Sequence, residues 1–337
     1  MKIAYVSQEY PPSPRAGGIA SYVKEIALGM KARGHEITII TANDDTRESS
    51  DIVENGIRII RLSGGSFFLS EVEGRTVVKM IKQLRCFYRF WSYRRKLREV
   101  ILRYAPFDLI EVAEFGCEGL YLYDLKIPIV CRLHTPTLMD HNTFGILPFS
   151  FRKIHFYEQG LLELKLLENK AQYITSCSSS LKDWVQQNVF HEKKDIRVIY
   201  NPIQYRSIAH LPYNNRHKKI WDILYVGTIC DWKGAGDLYQ ACTILDKHDL
   251  NFELTMVGKV GIYSAMLKPT SWLNILGKIK RESVMQFYQQ ADVVCFPSWW
   301  ENMPMVCLEA MMCGAIVIGS SSGGMSEIIT DGEDGFL

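Results

Sequence analysis

The sequence predicts an α/β fold made of two successive, doubly wound parallel-sheet domains. Short apolar runs of strand length alternate with longer stretches of helical periodicity along the chain. The 337 residues are enough for about two domains of roughly 150 residues each. Periodicity is lost over residues 201–219, where Pro, Asn, His, Arg and Lys collect. We therefore predict an N-terminal domain at residues 1–203 and a C-terminal domain at residues 204–337.

The first domain begins with a short apolar strand followed by a loop that carries Gly17 and Gly18. Apolar residues then recur at helical spacing up to Gly34, a suitable C-cap. Seven strands are predicted in this domain, at residues 3–7, 37–41, 57–62, 107–112, 127–133, 172–176 and 196–200.

The second domain repeats the alternation of strands and helices. Five strands are predicted there, at residues 220–226, 252–257, 273–276, 293–297 and 316–318. The chain stops at residues 331–337, on the edge of what reads as one more strand.

Composition restricts the class of protein. Apolar residues make up 47% of the chain and charged residues 23%, as in a globular protein with a sizeable core, and the net charge of +2 requires no particular partner. The nine cysteines are odd in number and form no C-x-x-C pair, which argues against a disulfide framework and a structural zinc site. With no signal-peptide core and no run of about 18 apolar residues, we expect a cytoplasmic protein.

The most informative segment is 297–314, which reads as the end of a buried strand, a loop with Glu301, and a helix with Glu309. Amide groups at a helix N-terminus attract phosphate, and nearby carboxylates can hold sugar hydroxyls. The alternative is that a Glu in this position only offsets the helix dipole.

Glycines and histidines follow other predicted strands. Gly17-Gly18 lets backbone approach a diphosphate, although a glycine pair is also common in turns. His134 follows the strand at 127–133 directly, at the edge where α/β sheets bind ligands. His141, beside Asp140, gathers no metal-ligand cluster, and we interpret it as loop surface or acceptor wall.

A nicotinamide enzyme is a weaker interpretation of the first domain. The glycines do not form G-x-G-x-x-G, and no acidic residue closes the second strand where a ribose would be held. Asp44 and Asp45 lie slightly beyond that position.

Lys233-Gly234 follows the strand at 220–226, and Gly323-Gly324 with Glu327 follows the strand at 316–318. Together with Glu301, Glu309 and Gly17-Gly18, this succession resembles the retaining glycosyltransferases of family 4 and covers essentially the whole chain. The resemblance implies the GT-B architecture, in which two Rossmann-like domains have the active site in the cleft between them. It also implies that a strand and one or more helices follow residue 337.

The resemblance implies a role for each matching residue. Glu309 would hold the nucleotide ribose, and Glu301 would contact the donor sugar and stabilise positive charge at its anomeric carbon. His134 would hydrogen-bond the transferred sugar, and Lys233 with the Gly17 and Gly18 amides would stabilise the leaving diphosphate. The remaining contacts to the sugar hydroxyls would come from backbone near Asn302, Met303 and Pro304.

Two departures from the family pattern bear on donor binding. Thr228 stands where the family usually has Arg, which removes one cation from the diphosphate; Arg15 or Lys259 are candidates to replace it. Pro304 stands where Gly is frequent, and it has no N–H to offer.

Residues 75–103 hold ten Lys or Arg and a single acid, interleaved with aromatic residues. Val77, Met80, Ile81, Leu84, Tyr88 and Trp91 recur at spacings of three and four. Such a helix suits an anionic membrane surface and a lipid-linked acceptor, or it packs on its own domain with a basic rim. No nucleic-acid reading element accompanies it, so we expect no nucleic-acid partner.

The sequence therefore predicts a metal-independent, retaining glycosyltransferase without a bound cofactor. It would move a sugar from a nucleotide-diphosphate donor to a hydroxyl of a glycan or lipid-linked glycan, and it could lie peripherally at the inner membrane face. The alternatives are a nucleotide-sugar epimerase of the same two-domain design and a non-catalytic sugar-nucleotide or membrane-binding protein.

Overall fold

The computed structural model of the protein describes residues 1–13, 16–43, 48–64, 77–139, 151–204, 220–261 and 267–337. The chain divides into two compact units, Met1–Pro202 and Ile203–Leu337. Each unit is built on its own sheet.

The N-terminal unit contains an eight-stranded sheet. Its strands are β1 (Lys2–Ser7), β2 (Glu36–Ala42), β3 (Ser50–Glu54), β4 (Ile57–Leu62), β5 (Leu109–Ala113), β6 (Ile129–Leu133), β7 (Tyr173–Ser176) and β8 (Ile196–Val198). The order across the sheet is β3-β4-β2-β1-β5-β6-β7-β8. All neighbours pair in parallel except β3, which is antiparallel to β4. Because β1 lies between β2 and β5, the strand order reverses there, and loops after β1 and β5 meet at a topological switch point.

Four helices accompany this sheet: α1 (Gly18–Ala32), α2 (Val77–Tyr104), α3 (Phe151–Asn169) and α4 (Ser179–Asn188). A short 3-10 turn lies at Thr137–Met139. Helix α1 forms where the spacing predicted it, because Ala20, Val23 and Ala27 share its buried face. Helix α4 begins at Ser178, whose hydroxyl accepts a hydrogen bond from the Leu181 amide at 3.2 Å.

The C-terminal unit contains a five-stranded, wholly parallel sheet. Its strands are β9 (Trp221–Val226), β10 (Phe252–Val257), β11 (Leu273–Gly277), β12 (Val293–Phe296) and β13 (Ile316–Gly319), in the order β11-β10-β9-β12-β13. Its helices are α5 (Ala235–Lys247), α6 (Arg281–Gln290) and α7 (Met305–Met312), with 3-10 turns at Asp231–Lys233 and Gly324–Glu327. The order reverses between β9 and β12, so the loops that follow these two strands meet.

The doubly wound α/β prediction is confirmed, and each of the twelve predicted strands has a counterpart within a few residues. The sequence analysis missed only β3 among the thirteen strands of the described chain. This strand lies at the edge of its sheet and four of its five residues are exposed, so it lacks the apolar run that marks a buried strand.

In the described part of helix α2, the buried side chains are not the predicted ones; Val77, Met80, Ile81 and Leu84 of the predicted face lie outside the described side chains. Tyr88, assigned to the apolar face, is 74% exposed. Phe90, Tyr93, Leu97 and Ile101 are buried instead, each at most 2% exposed, so this half of the helix packs within its own unit. Among the described residues, no helix is both long and apolar enough to cross a bilayer.

Candidate functional site

Tyr225, on β9, holds the loop that follows this strand. Its hydroxyl donates a hydrogen bond to the carbonyl oxygen of Thr228 at 2.8 Å and lies 3.4 Å from that of Lys233. Ile229 also donates its amide hydrogen to the carbonyl of Lys259, which joins this loop to the one after β10. The backbone on both sides of Lys233 is therefore fixed before any ligand binds.

Gly234 brings this loop against the end of β12. Its φ of +70° lies in the left-handed region, and a Cβ here would come within 2.0 Å of the Pro297 carbonyl oxygen. Only glycine allows both the conformation and the approach. The glycine after Lys233 thus packs backbone against backbone, and it places Lys233 beside the loop that carries Glu301.

Lys233 and Glu301 form an ion pair between the Lys Nζ and the Glu Oε1. Ser298 donates a hydrogen bond from its hydroxyl to the same carboxylate oxygen at 2.9 Å. The side chains of Lys233 and Glu301 keep 21% and 16% of their exposure, so solvent and a ligand reach both. The sequence predicted both residues at the site, but not that they would contact each other.

The Gly323-Gly324 pair supports the backbone of Glu301. A Cβ at Gly323, where φ is +66°, would approach the Glu301 carbonyl oxygen to 2.2 Å. The Gly324 amide donates to that same oxygen at 2.7 Å. These contacts fix the position of Glu301 from the side of β13.

Glu309 lies on α7, 5% exposed, and pairs with the guanidinium of Arg281 at the start of α6. Sequence reasoning did not identify Arg281. One signal was present, because Lys280 and Arg281 place positive charge at a helix N-terminus, where the dipole disfavours it. A cation in that position needs an acidic partner, and Glu309 is that partner.

Asn302, Met303 and Pro304 form the buried connection between Glu301 and α7. Asn302 accepts a hydrogen bond from the indole N–H of Trp300 at 2.8 Å. Pro304 is the N-cap of α7 and accepts the Cys307 amide at 3.1 Å. The prediction that backbone here contacts sugar hydroxyls stays a prediction, and Pro304 contributes no donor to it.

In the N-terminal unit, His134 follows β6 and is 7% exposed. Its backbone N–H donates to both carboxylate oxygens of Glu114, at 2.8 and 2.9 Å. Its ring packs edge to face against Tyr22 with centroids 5.0 Å apart. Burial, together with the Arg132 cation, lowers the pKa of His134 to about 3. The imidazole is therefore neutral at physiological pH.

A buried polar network that the sequence did not reveal lies behind His134. Glu163, on α3, accepts hydrogen bonds from the amides of Gly116 and Thr137, each at 2.8 Å. Burial raises the pKa of Glu163 to about 7, and burial with the Glu163 carboxylate raises that of Glu114 to about 8. Because Glu114 and Glu163 accept from the loops after β5 and β6, they fix the backbone around His134.

The Gly17 amide, predicted to bind diphosphate, donates to the carboxylate of Glu9 at 3.1 Å. Both Gly17 and Gly18 are exposed, and a Cβ at Gly18 would meet nothing within 4 Å. This helix start therefore attracts an anion, as the chemistry of free amides predicts. The Glu9 carboxylate would have to withdraw before a diphosphate could take the same amide.

Several sequence candidates cannot be placed. Arg15, Asp44, Asp45, Asp140 and His141 lie outside the described residues. Lys259 is exposed in the loop after β10. In the described part of the chain, no three His, Cys, Asp or Glu side chains are arranged to hold a metal ion, and the cysteines found there are buried free thiols.

Two glycosyltransferase family descriptions together match most of the chain. Residues 16–206 match Glycosyltransferase Family 4, and residues 210–337 match Glycosyl transferases group 1. An uncharacterized glycosyltransferase of Methanocaldococcus jannaschii is 28% identical over 98% of this chain and 83% of its own length. A glycogen synthase of Mycobacterium tuberculosis is 23% identical over 99% of this chain and 81% of its own.

Among solved structures, a sucrose-phosphate synthase from Thermosynechococcus elongatus superposes with a TM-score of 0.70 at 20% identity. The match covers 100% of this chain and 85% of that one. This likeness shows the GT-B fold, as the sequence predicted. With more than half of its residues matched by one family, the chain belongs to Glycosyltransferase Family 4.

Proposed function

We propose that this family member is a retaining glycosyltransferase that takes its sugar from a nucleoside-diphosphate donor. The observation that carries the proposal is a set of two ion pairs in the C-terminal unit, Lys233 with Glu301 at the β9/β12 switch point and Arg281 of α6 with Glu309 of α7. A site that must hold a diphosphate, a ribose and a sugar needs cations and carboxylates side by side, and this edge of the sheet supplies both.

Lys233 supplies the charge for the leaving group. Its ammonium pairs with Glu301, and the diphosphate competes for it when the donor binds. Lys233 then stabilises the negative charge that develops when the bond between the anomeric carbon and the diphosphate oxygen breaks. The proposal assigns this role to fixed protein charges and needs no metal ion.

Glu301 acts on the sugar once Lys233 has turned to the diphosphate. Ser298 holds its carboxylate and the Gly324 amide holds its backbone carbonyl. In this proposal the carboxylate therefore meets the anomeric carbon in a set geometry. There it stabilises the positive charge of the breaking sugar. The acceptor hydroxyl attacks from the face that the diphosphate leaves, its proton passes to the departing diphosphate, and configuration is retained.

Glu309 and His134 bind rather than transfer protons in this proposal. Arg281 contacts Oε1 of Glu309, which orients the carboxylate toward the ribose hydroxyls. In this proposal His134 hydrogen-bonds a hydroxyl of the transferred sugar as a neutral imidazole.

The acceptor in this proposal is a hydroxyl of a glycan or a lipid-linked glycan. Contact with an anionic membrane through residues 75–103 stays a prediction, as does the cytoplasmic location. In the described half of α2, Arg98 pairs with Asp124, Lys96 donates to Ser63, and Arg94 is buried. These three cations therefore serve the fold of the unit, and a membrane surface would have to use others.

The test is thermal stabilisation by UDP, GDP, ADP and their common sugar derivatives, each measured with EDTA present. Glu309→Ala and Lys233→Ala remove the two ligand contacts, and Glu253→Ala, an exposed position on β10, is the matched control. We expect one nucleotide to raise the melting temperature by several degrees in the wild type and the control, and by far less in the two site variants.

A turnover assay distinguishes a transferase from an epimerase and from a non-catalytic binding protein. Release of the nucleoside diphosphate should depend on an added acceptor, and proton NMR of the product should show the donor's anomeric configuration. Conversion of the donor without any acceptor would indicate an epimerase. A folded protein that no nucleotide stabilises would refute the proposal.

A further inference from the structure

Three exposed tryptophans adjoin the two residues of the Lys233–Glu301 ion pair in the sequence. Trp232 directly precedes Lys233, and Trp299 with Trp300 directly precedes Glu301. Their exposed fractions are 39%, 61% and 36%. Tryptophan is mostly buried in folded proteins, so a group of exposed indoles on two loops that meet is a candidate contact surface.

Hydrogen bonds hold these indoles in place. The Trp299 backbone N–H donates to the Trp232 carbonyl at 3.0 Å, which ties the two loops together. The Trp299 indole N–H donates to Asp237 at 2.8 Å, and that of Trp300 donates to Asn302. The indole N–H groups of Trp299 and Trp300 therefore have partners inside the protein, and what these two side chains leave for solvent is apolar ring surface.

The charges around these rings distinguish a membrane surface from a sugar as the binding partner. Asp231 and Glu301 lie on these two loops and Asp237 lies in the first turn of α5. The two loops carry a single cation, Lys233, whose Nζ is 4.2 Å from the Trp232 ring centroid. An excess of carboxylates repels an anionic membrane surface. Carboxylates beside aromatic rings are instead the pair of features that a sugar needs, since its hydroxyls bind to oxygens and its C–H face packs on apolar rings.

We propose that Trp232, Trp299 and Trp300 form a stacking platform for the apolar face of a sugar ring. This inference rests on the proposed function, because it is the adjacent Lys233–Glu301 pair that places a sugar here. The ring belongs either to the donor or to the acceptor glycan, since both offer the same C–H face.

The test uses Trp232→Ala and Trp299→Ala, with Trp221→Ala as the matched control. Trp221 is 52% exposed like the platform residues, but it lies at the amino end of β9, the opposite edge of the same sheet. Saturation-transfer NMR with methyl α-glucoside, methyl α-mannoside and maltoheptaose measures contact with free sugars. Thermal shifts with UDP-glucose against UDP, and GDP-mannose against GDP, measure contact with the donor sugar.

We expect the two platform variants to lose at least fivefold of one sugar signal, while the control keeps it. If the platform variants lose the NMR signals of the free sugars, the platform binds the acceptor. If they lose only the extra thermal stabilisation that a nucleotide sugar gives over its nucleoside diphosphate, the platform binds the donor sugar. Stabilisation by UDP or GDP alone should remain in Trp299→Ala, because Lys233 keeps both its ion pair with Glu301 and its contact with the Trp232 ring. That stabilisation tests the proposed function separately from the platform.

Three outcomes would overturn the inference. The first is a wild type that binds no sugar ring in either assay, and the second is equal binding by platform variants and control. The third is a variant that keeps sugar binding and loses only co-sedimentation with vesicles of phosphatidylcholine and phosphatidylglycerol, which would make the rings a membrane contact.

Discussion

Replacing Gly234 by Ala tests how the site is assembled. The position has a φ of +70°, and the added Cβ would lie 2.0 Å from the Pro297 carbonyl oxygen and 2.5 Å from its carbon. Because both opposing atoms are backbone, no side chain can turn away. The end of β12 has to move, and it carries the loop with Glu301.

The magnitude follows from two separate costs. Placing Ala in the left-handed region costs roughly 1–2 kcal/mol. The overlap requires a backbone displacement on the order of 1 Å, and forced repacking of that kind costs about 1–3 kcal/mol. Gly277 separates the cost of the left-handed backbone from the cost of the overlap, because its φ is +69° and a Cβ there meets nothing within 4 Å. Gly277→Ala should therefore show the first cost alone.

The assay is urea unfolding followed by tryptophan fluorescence, since Trp232, Trp272 and Trp299 all lie in the C-terminal unit. We expect Gly234→Ala to lose about 2–5 kcal/mol of unfolding free energy and Gly277→Ala about 1–2. Stabilisation by the nucleotide should fall only in Gly234→Ala, as Lys233 moves away from Glu301. Equal losses in both variants would refute the reasoning from close backbone approach.

Three further outcomes are expected. Arg281→Ala should lower nucleotide affinity about tenfold, or ~1.4 kcal/mol, because Glu309 loses the partner that orients it. Arg281→Lys should recover part of the lost affinity. An unchanged affinity in Arg281→Ala would show that Arg281 is not part of the site. The pKa of His134 is lowered to about 3, so its stability contribution is present above about pH 6.5 and is lost as pH falls toward 3. In chemical denaturation, the stability advantage of wild type over His134→Gln should shrink by about 2–3 kcal/mol between pH 7 and pH 4.5, and a constant difference would contradict the burial argument. Arg94→Met should cost ~1–3 kcal/mol in the same assay, because the buried carbonyl of Gly116 loses its hydrogen-bond donor, and an unchanged stability would contradict this.

The parallel sheets could be predicted because buried strands carry their own signal. Residues 252–257 are apolar at four of six positions, with Glu253 and Thr255 between them. They form β10 with the predicted bounds. Strand β3 could not be predicted in that way, since an exposed edge strand has no buried face to shape its composition. The assignment of Tyr88 to the apolar face of α2 was wrong for a related reason. Buried Arg94 lies among its core residues, and a charged residue hides the true stripe.

The site residues Lys233, Glu301 and Glu309 were predicted from a resemblance that spans the chain. Their contacts were not, and neither was the involvement of Arg281. Lys233 and Glu301 are 68 residues apart, and Arg281 and Glu309 are 28 apart. Such distances carry no periodicity, so only the order of the strands brings these residues together.

The sequence by itself determined the fold class, the family and which residue types the site contains, because periodicity, turn glycines and motif spacing are local properties of the chain. Only the tertiary structure decided which carboxylate faces which cation. It also showed that Gly234 and Gly323 make room for the backbone of Pro297 and Glu301, and that His134 is neutral. Close approach and burial depend on neighbours distant in the chain, and these are set by the packing of the whole unit.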